Sequence, residues 1–441
     1  MNKDVTLTTK EILKFYLPLA AAAFIMMGSN NIVNFALNKT ENAQAALAAF
    51  TVAFSYAETI AAPCFSAISM YITLGKDRVY FLNTLKFTFK ILLVATFIIS
   101  LFAFTPIGEY IAVTFGGVTK AMLKEVKDVW KLTIFLPLIY LSISTSRAVL
   151  LIEQSTIYVT ISRMIRLILM LIFAMIVPRF NLIQGAAVGA VVMLAGMTVE
   201  VFANAIPAYS KFKKWPKTPD ETVHKKRYPP TQKSALKFLT PLIVTSLMWG
   251  LGRPILYSGL ARMTNPELTI ATYRVATSFV WLYIVFVEDN VKQITVAFLS
   301  KYTDQAKKLI KFSSLVCAFV VIAILLSIIT PFGKLVLEKA IGVNQEMANL
   351  SILPILILAL FPIIQTVLEY HASYLLIEGR TNPLGFAKVI NIITMSITIF
   401  ILAITSPHLG ATAGAIALTT GFISEMIIIR HYAKKVMPIS D

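Results

Sequence analysis

Long apolar segments alternate with short polar segments along this chain. Twelve of the apolar segments reach roughly 20 residues, the length that an α-helix needs to cross about 30 Å of hydrocarbon. Only helices and closed barrels satisfy their backbone groups in lipid, and these segments are too long and continuous for barrel strands. We therefore predict twelve transmembrane helices, at 11–37, 42–73, 82–105, 129–153, 156–178, 182–208, 234–262, 267–298, 309–331, 347–377, 384–406 and 409–433.

The second half of the sequence repeats the first half at a nearly constant offset. LKFYLPL at Leu13–Leu19 returns as LKFLTPL at Leu236–Leu242, which aligns Pro18 with Pro241. Further along, LLIE at 150–153 returns as LLIE at 375–378; the offset that aligns Glu153 with Glu378 is here called the repeat offset. Internal repeats of this kind are a feature of many membrane transporters. The sequence therefore predicts an all-α polytopic membrane protein that consists of two six-helix bundles.

A basic, polar segment separates the two halves. Tyr209–Lys237 contains nine Lys and Arg residues but only two acidic residues, and it includes the Pro229-Pro230 pair. Such a composition is typical of a solvated loop. We predict an N-terminal bundle at 1–208, a cytoplasmic connector at 209–233 and a C-terminal bundle at 234–441.

Composition and charge agree with a membrane protein. Hydrophobic residues make up 57% of the chain and charged residues only 14%, against about 25% charged in soluble proteins. The net charge of +18 does not indicate nucleic-acid binding, because Lys and Arg accumulate in cytoplasmic loops of membrane proteins. Since the N-terminus, connector and C-terminus are all basic, we expect both termini in the cytoplasm. The expected location is the inner (plasma) membrane, as a monomer in the lipid bilayer.

Short stretches throughout the chain resemble a known family. A proline lies in the first helix of each half, at Pro18 and Pro241. The other stretches are ALNK at 36–39, GRPI at 252–255, ATY at 271–273, IGV at 341–343 and LGATAGA at 409–415. These features resemble the multidrug/oligosaccharidyl-lipid/polysaccharide (MOP) flippase superfamily, which includes the MATE exporters, and within it most of all a prokaryotic member of the progressive ankylosis family. The resemblance implies a MATE-like fold, alternating access around a V-shaped cavity, and cargoes such as citrate, pyrophosphate or nucleotides.

Motifs for catalysis or cofactor binding are missing from the sequence. Gly75-Lys76 and Gly333-Lys334 lack the upstream glycine of a phosphate-binding loop. The four histidines have no metal-ligand spacing, and we expect neither a metal site nor a cofactor. The sequence thus favours a secondary transporter that is not an enzyme and does not hydrolyse ATP.

Ionisable residues deep in a span are candidates for function because each is costly unless it faces a cavity or a partner. Arg253 and Arg274 could form a clamp for an anionic substrate; the alternatives are a structural salt bridge for Arg253 and a position at the outer interface for Arg274. Asn31 and Asn34 form part of a polar stripe on the first helix, although hydrogen bonding between helices is the commoner use of such amides. Lys292 completes the predicted substrate-binding set.

A second set of polar residues could bind a coupling ion or act as a gate. Glu288 and Asp289 lie beside Lys292, where a Na⁺ or H⁺ site and an internal ion pair are equally good interpretations. The other candidates are Glu369, His371 and Arg147, and we expect the Arg147 side chain to snorkel or to form a cytoplasmic gate. Since Glu200 and Glu425 recur in both halves, we interpret them as architectural.

The favoured function is export of a small organic or phosphorylated anion. A MATE-type exporter of cationic drugs would need carboxylates and aromatic side chains in the cavity. A flippase for lipid-linked saccharides would need a cavity open to the side. A membrane scaffold or receptor is a fourth possibility, but the sequence has no sensor or partner domain outside the spans.

Overall fold

The computed structural model describes the chain as helices joined by turns. It covers residues 7–37, 39–75, 77–114, 122–179, 183–217, 232–299, 305–330, 333, 336–337 and 345–436. Two compact units divide the chain: an N-terminal unit of residues 14–239 and a C-terminal unit of residues 1–13 and 240–441. Most of the predicted connector, residues 218–231, lies outside the described residues.

The first half of the chain forms eight described helices. Helices α7 and α8 pack on each other, and α6 packs on both α2 and α8. Helix α8 ends inside the predicted connector. Their bounds are α1 Thr9–Leu37, α2 Ala43–Leu74, α3 Arg78–Phe104, α4 Pro106–Thr114, α5 Leu123–Thr133, α6 Leu136–Ile152, α7 Ile157–Ile176 and α8 Ala187–Phe212.

The second half forms eight further described helices. Helix α16 packs on α13, α14 and α15, and α11 packs on α14. Their bounds are α9 Gln232–Leu260, α10 Pro266–Ile284, α11 Asn290–Leu299, α12 Ala306–Ile329, α13 Gln345–Leu358, α14 Phe361–Ile377, α15 Asn382–Thr405 and α16 Ala411–Lys434.

The described part of the chain has 11 helical segments that are long and apolar enough to cross a membrane, and a shorter apolar helix at Leu268–Ile284. The predicted fold class is therefore confirmed. One detail is wrong: the eighth span, predicted as continuous from 267 to 298, is broken into α10 and α11. The break coincides with the polar group Glu288, Asp289 and Asn290, and Asp289 has a positive φ of 26°, which a non-glycine residue in a continuous helix does not adopt.

Prolines interrupt the same helix of each half. The fourth span turns at 134–135 between α5 and α6, and the tenth span turns at 359–360 between α13 and α14. Pro137 and Pro362, at the repeat offset, each lie at the start of the helix after the turn. Proline suits this position because it lacks the N–H that a helix interior needs and its φ fits a first helical turn.

Close helix contacts repeat at glycines. In the N-terminal unit Gly196 packs against Arg166 and Met170, and in the C-terminal unit Gly421 packs against Asn391 and Met395. The repeat offset separates each residue of the first contact from its counterpart in the second: Gly196 from Gly421, Arg166 from Asn391, and Met170 from Met395. The sequence repeat is thus also a repeat of side-chain packing.

Two kinds of exposed helix surface occur in the structure. Helix α12, for example, exposes an apolar stripe that fits contact with lipid, formed by Leu315, Phe319, Ile322, Leu326 and Ile329. In contrast, no large apolar side chain is exposed among the described residues of α10 and α11, and among the described side chains of α2 only Phe65 is exposed. The exposed surfaces of α2 and α10 are polar, so these helices carry the candidate site.

Candidate transport site

The exposed surface of α10, here called the α10 face, carries a guanidinium group. It consists of Arg274 and Ser278, which are exposed, and Trp281, which is partly exposed. Their spacing of i, i+4 and i+7 places them on one side of the helix. Arg274 lies about 12 Å from the start of α10 at 1.5 Å per residue, so it is far from either end of this helix.

Helix α2 presents the equivalent α2 face in the N-terminal unit. Thr51, Ser55 and Glu58 are all exposed, and they correspond to the α10 face at the offset that aligns Pro18 with Pro241. The Tyr140 hydroxyl donates a hydrogen bond to Glu58 over 3.0 Å. The two faces therefore differ in charge: α10 has a guanidinium where α2 has a threonine, and α2 has a carboxylate where α10 has a tryptophan.

Four of the predicted residues come together at the break between α10 and α11. The Lys292 ammonium lies 2.7 Å from a carboxylate oxygen of Asp289 and 3.0 Å from one of Glu369. Glu288 is close enough to interact electrostatically with all three residues. Lys292 therefore links α11 to α14, while Asp289, with a side chain that is 65% exposed, forms the solvent side of the cluster.

A second ion pair lies deeper in the C-terminal unit. Lys388 of α15 contacts Glu425 of α16 over 2.7 Å, and the Asn391 amide donates to the same carboxylate over 2.6 Å. The Lys388 ammonium also lies 4.4 Å from the centre of the Phe422 ring. Because both charged side chains are buried, this pair holds α15 and α16 together at a fixed register.

The N-terminal unit has a related cluster between α7 and α8. Arg166 donates to Glu200 over 2.8 Å, and the Nε atom of Arg163 lies 3.9 Å from the other oxygen of that carboxylate. The structure thus gives Glu200 and Glu425 the same role in both units, which agrees with their interpretation as architectural.

The other predicted site residues have different surroundings. Asn34 is exposed on α1, and the side chains of Arg253 and Asn31 lie outside the described residues. Helix α9 continues past Arg253 without a break. His371 is buried, with Nδ1 2.7 Å from the Val367 carbonyl oxygen.

Arg147 does not snorkel, so that half of the expectation is wrong, and a gating role stays a prediction. Its side chain is buried, with 4% of the residue exposed. The guanidinium carbon lies 5.9 Å from the centre of the Phe65 ring, and the group interacts electrostatically with Glu200. Arg147 therefore belongs to the interior of the N-terminal unit together with Arg163 and Arg166.

The sequence interpretation missed the basic partners of the repeated glutamates. Arg163 aligns with Lys388 at the repeat offset, and Arg166 aligns with Asn391. Applied to every charged residue, this offset would have indicated Arg163 with Glu200 and Lys388 with Glu425, because all four residues keep it, but it would not have indicated Arg166.

Comparison with known proteins identifies the fold. The model of the progressive ankylosis protein family matches residues 223–416. An outward-facing multidrug resistance MATE family transporter of the MOP superfamily superposes with a TM-score of 0.73 at 13% identity, over 97% of this chain and 95% of that chain. The chain has the MATE fold. The match over 223–416 confirms the resemblance to the progressive ankylosis family, and it includes Arg253, Arg274, Lys292 and Glu369.

Two further structures share the MATE fold. A MOP superfamily transporter from Pyrococcus furiosus, described as having a binding pocket of reverse polarity that suggests a different function, has a TM-score of 0.71 at 13% identity and covers 98% of each chain. A MATE transporter of Vibrio cholerae in its bent form has a TM-score of 0.70 at 13% identity, over 97% of this chain and 98% of that chain. No curated protein matches the sequence. The chain thus shares the fold of these transporters, and its likeness to the progressive ankylosis family extends over residues 223–416.

Proposed function

We propose that the protein is a secondary, alternating-access transporter that exports a small organic or phosphorylated anion of the citrate, pyrophosphate or nucleotide class. In this proposal it is neither an enzyme nor an ATPase. The observation that carries the proposal is the exposed guanidinium of Arg274 on the α10 face. That residue lies within the segment matched by the progressive ankylosis family model.

The chemistry of the α10 face supports contact with water and not with lipid. An arginine at the centre of a span costs several kcal/mol in hydrocarbon, by estimates that start at about 2.5 kcal/mol. The exposed neighbour of Arg274 on this face is a serine, whereas the lipid-type stripe of α12 is entirely apolar. In a water-filled cavity, both the Arg274 guanidinium and the neighbouring serine hydroxyl would be hydrated.

Arginine is well suited to hold the proposed cargoes. Its planar fork of N–H donors matches the oxygens of a carboxylate or a phosphate and binds two of them at once. Arg253 is the proposed partner of Arg274 in the clamp, and Asn31, Asn34 and Lys292 are proposed as further donors. The Pyrococcus furiosus transporter, with its binding pocket of reverse polarity, supports the idea that this fold accommodates cargoes of different charge.

A coupling-ion or gating role is proposed for the cluster at the α10–α11 break. Three carboxylates, those of Glu288, Asp289 and Glu369, lie around Lys292, and Lys388 also interacts electrostatically with Glu288. A group of carboxylates within a span would attract Na⁺ or H⁺. His371 and Arg147, which are both buried, are proposed to act by changing helix contacts during the transport cycle.

The same acidic cluster favours one alternative function, the export of cationic drugs. A cationic cargo would be held by carboxylates and aromatic rings. Asp289 is exposed, and Trp281 lies on the adjoining α10 face. In this alternative, Arg274 would repel the cargo and its removal would raise transport.

The experiment that separates these functions compares cargoes in one preparation. Purified protein in liposomes is tested for transport of labelled citrate, pyrophosphate and ATP, and of a labelled quaternary ammonium drug, with an imposed Na⁺ or H⁺ gradient. The proposal expects saturable transport of at least one anion above protein-free liposomes. Transport of the cationic compound alone would reject it in favour of drug export.

The orientation in the membrane is part of the proposal. The protein is proposed to act as a monomer in the plasma membrane, with both termini and the connector in the cytoplasm, because Lys and Arg concentrate there. Single cysteines at 218–231, in a variant without Cys64 and Cys317, would be labelled from the cytoplasmic side only.

A further inference from the structure

Three aromatic rings connect the α10 face with the buried ion pair of Lys388 and Glu425. The centre of the Trp281 ring lies 5.2 Å from that of Phe361, which lies 4.6 Å from that of Phe422 in an edge-to-face arrangement. The Lys388 ammonium lies 4.4 Å from the centre of the Phe422 ring. These spacings are favourable, since rings attract each other at about 4.5–7 Å and a cation attracts a ring within about 6 Å. Trp281, Phe361 and Phe422, here called the aromatic link, therefore form a continuous chain of contacts inside the C-terminal unit.

The aromatic link is accessible at one end only. Trp281 is partly exposed on the α10 face, whereas Phe361 and Phe422 are buried. Protein interiors are close-packed and have low compressibility, so a displaced side chain displaces its neighbours. A molecule that moved the Trp281 ring would therefore act on Phe361 as well.

The middle ring lies at the end of a helix. Phe361 is the first residue of α14 and directly follows the turn at 359–360. The next residue, Pro362, has no N–H and cannot donate a hydrogen bond back into α13. Hinges are commonly a few residues at the ends of elements. A displacement of Phe361 thus acts where α14 can change its angle, and α14 carries Glu369, which contacts Lys292.

The repeat shows that the fold does not require these rings. The N-terminal counterparts of Trp281, Phe361 and Phe422 at the offsets of the repeat are Glu58, Leu136 and Met197. Leu136 and Met197 are buried, so aliphatic side chains fill these positions equally well. Both units nevertheless keep a buried basic residue beside the repeated glutamate. The aromatic link is therefore a specific feature of the unit that carries the α10 face.

We propose that the aromatic link transmits occupancy of the α10 face to α14 and to the Lys388–Glu425 pair, with Trp281 as the positioning residue that starts the transmission. The inference rests on the proposed function, because it takes the cargo to contact the α10 face. Lys388 also interacts electrostatically with Glu288, and Glu425 with Glu369. A shift of this ion pair would thus act on the carboxylates proposed for ion coupling, in addition to its role between α15 and α16.

The first test needs no cargo. It compares the thermal unfolding midpoints of the purified full-length protein in detergent for Trp281→Leu, for Lys388→Met with Glu425→Leu, and for all three changes together. Changes at independent sites add, whereas changes at coupled sites do not. We expect the combined shift to differ from the sum of the separate shifts by about 2 °C or more. Additive shifts, or an equal deviation with Ser278→Ala in place of Trp281→Leu, would overturn the inference.

The second test measures transport of the labelled anion in liposomes by Phe361→Leu, which introduces the side chain of the N-terminal counterpart. We expect the maximal rate to fall about tenfold and KM to change less than about twofold, because the α10 face itself is unaltered. The matched control is Phe279→Leu, which changes another fully buried phenylalanine of the same unit and should keep the rate within about twofold. Trp281→Phe retains a ring and should transport faster than Trp281→Leu.

The outcomes separate the inference from the proposed function. If the unaltered protein transports none of the anions, the proposed function is rejected, and the unfolding test alone decides whether the α10 face is coupled to the ion pair. If the unaltered protein transports an anion and Phe361→Leu loses no more of the maximal rate than Phe279→Leu, the proposed function stands and the aromatic link is overturned.

Discussion

Glu200 and Glu425, which occupy equivalent positions of the repeat, each accept a charged hydrogen bond from the preceding long helix of their own unit. Glu200 accepts from Arg166 over 2.8 Å, and Glu425 accepts from Lys388 over 2.7 Å. Since each pair is buried, its loss should affect the folding of the unit more than the binding of cargo.

Removal of one member of such a pair is predicted to destabilise the protein strongly. Glu425→Ala removes the carboxylate that accepts from the buried Lys388 ammonium, so we expect a loss of about 3–5 kcal/mol in the free energy of unfolding. Lys388→Met together with Glu425→Leu removes both charges and should recover most of that loss. Thermal unfolding in detergent measures both effects.

An exposed ion pair in the same protein is the control. Lys131 and Asp128 lie 2.8 Å apart with side chains 48% and 38% exposed. Asp128→Ala should cost about 0–1 kcal/mol because solvent screens both charges. If Glu425→Ala cost no more than Asp128→Ala, the buried pair would not have the architectural role described here.

The repeated glycines predict a difference between two otherwise similar variants. A Cβ atom at Gly421 would lie 3.0 Å from the backbone oxygen of Asn391, which cannot move without α15, whereas at Gly196 it would meet the flexible Met170 side chain. We expect Gly421→Ala to cost about 1–3 kcal/mol and Gly196→Ala to cost less. Unfolding measurements that reversed this order would contradict the close contact of α15 with α16.

The contact of Lys292 with Glu369 predicts coupling between α11 and α14. A double-mutant cycle of Lys292→Gln and Glu369→Gln should give a coupling free energy of about 1–3 kcal/mol. A second cycle, of Lys292→Gln and Asp289→Asn, should give a smaller coupling free energy, because Asp289 is mostly exposed and its charge is screened. Equal coupling in both cycles would show that Lys292 does not preferentially hold α14.

Much of the fold could be predicted from the sequence, because apolar length and the repeat offset act on long stretches of chain. The break between α10 and α11 could not, since hydropathy averages Glu288, Asp289 and Asn290 with their apolar neighbours. The positive φ of Asp289 does not alter the spacing of apolar residues along the sequence, so this spacing does not reveal it. The helix boundaries at this break therefore required the structure.

The candidate site was predictable only in part. Glu288, Asp289, Lys292 and Glu369 were identified by their depth in the spans, and the structure brings them together. The burial of Arg147 was not predictable, because a long basic side chain near a helix end can either snorkel or turn inward. Which of the two occurs depends on tertiary contacts such as that with the Phe65 ring.

Arg274 provides the most direct test of the proposed function. Its side chain is exposed, so Arg274→Ala should change the free energy of unfolding by no more than about 0.5 kcal/mol. The decisive measurement is transport of the labelled anion in liposomes by the unaltered protein, by Arg274→Ala, by Arg274→Lys and by the control Ser278→Ala on the same face. We predict that Arg274→Ala abolishes transport, that Arg274→Lys restores little because the planar fork is lost, and that Ser278→Ala retains most of it. Anion transport by a stable Arg274→Ala protein at the rate of the unaltered protein would contradict the account.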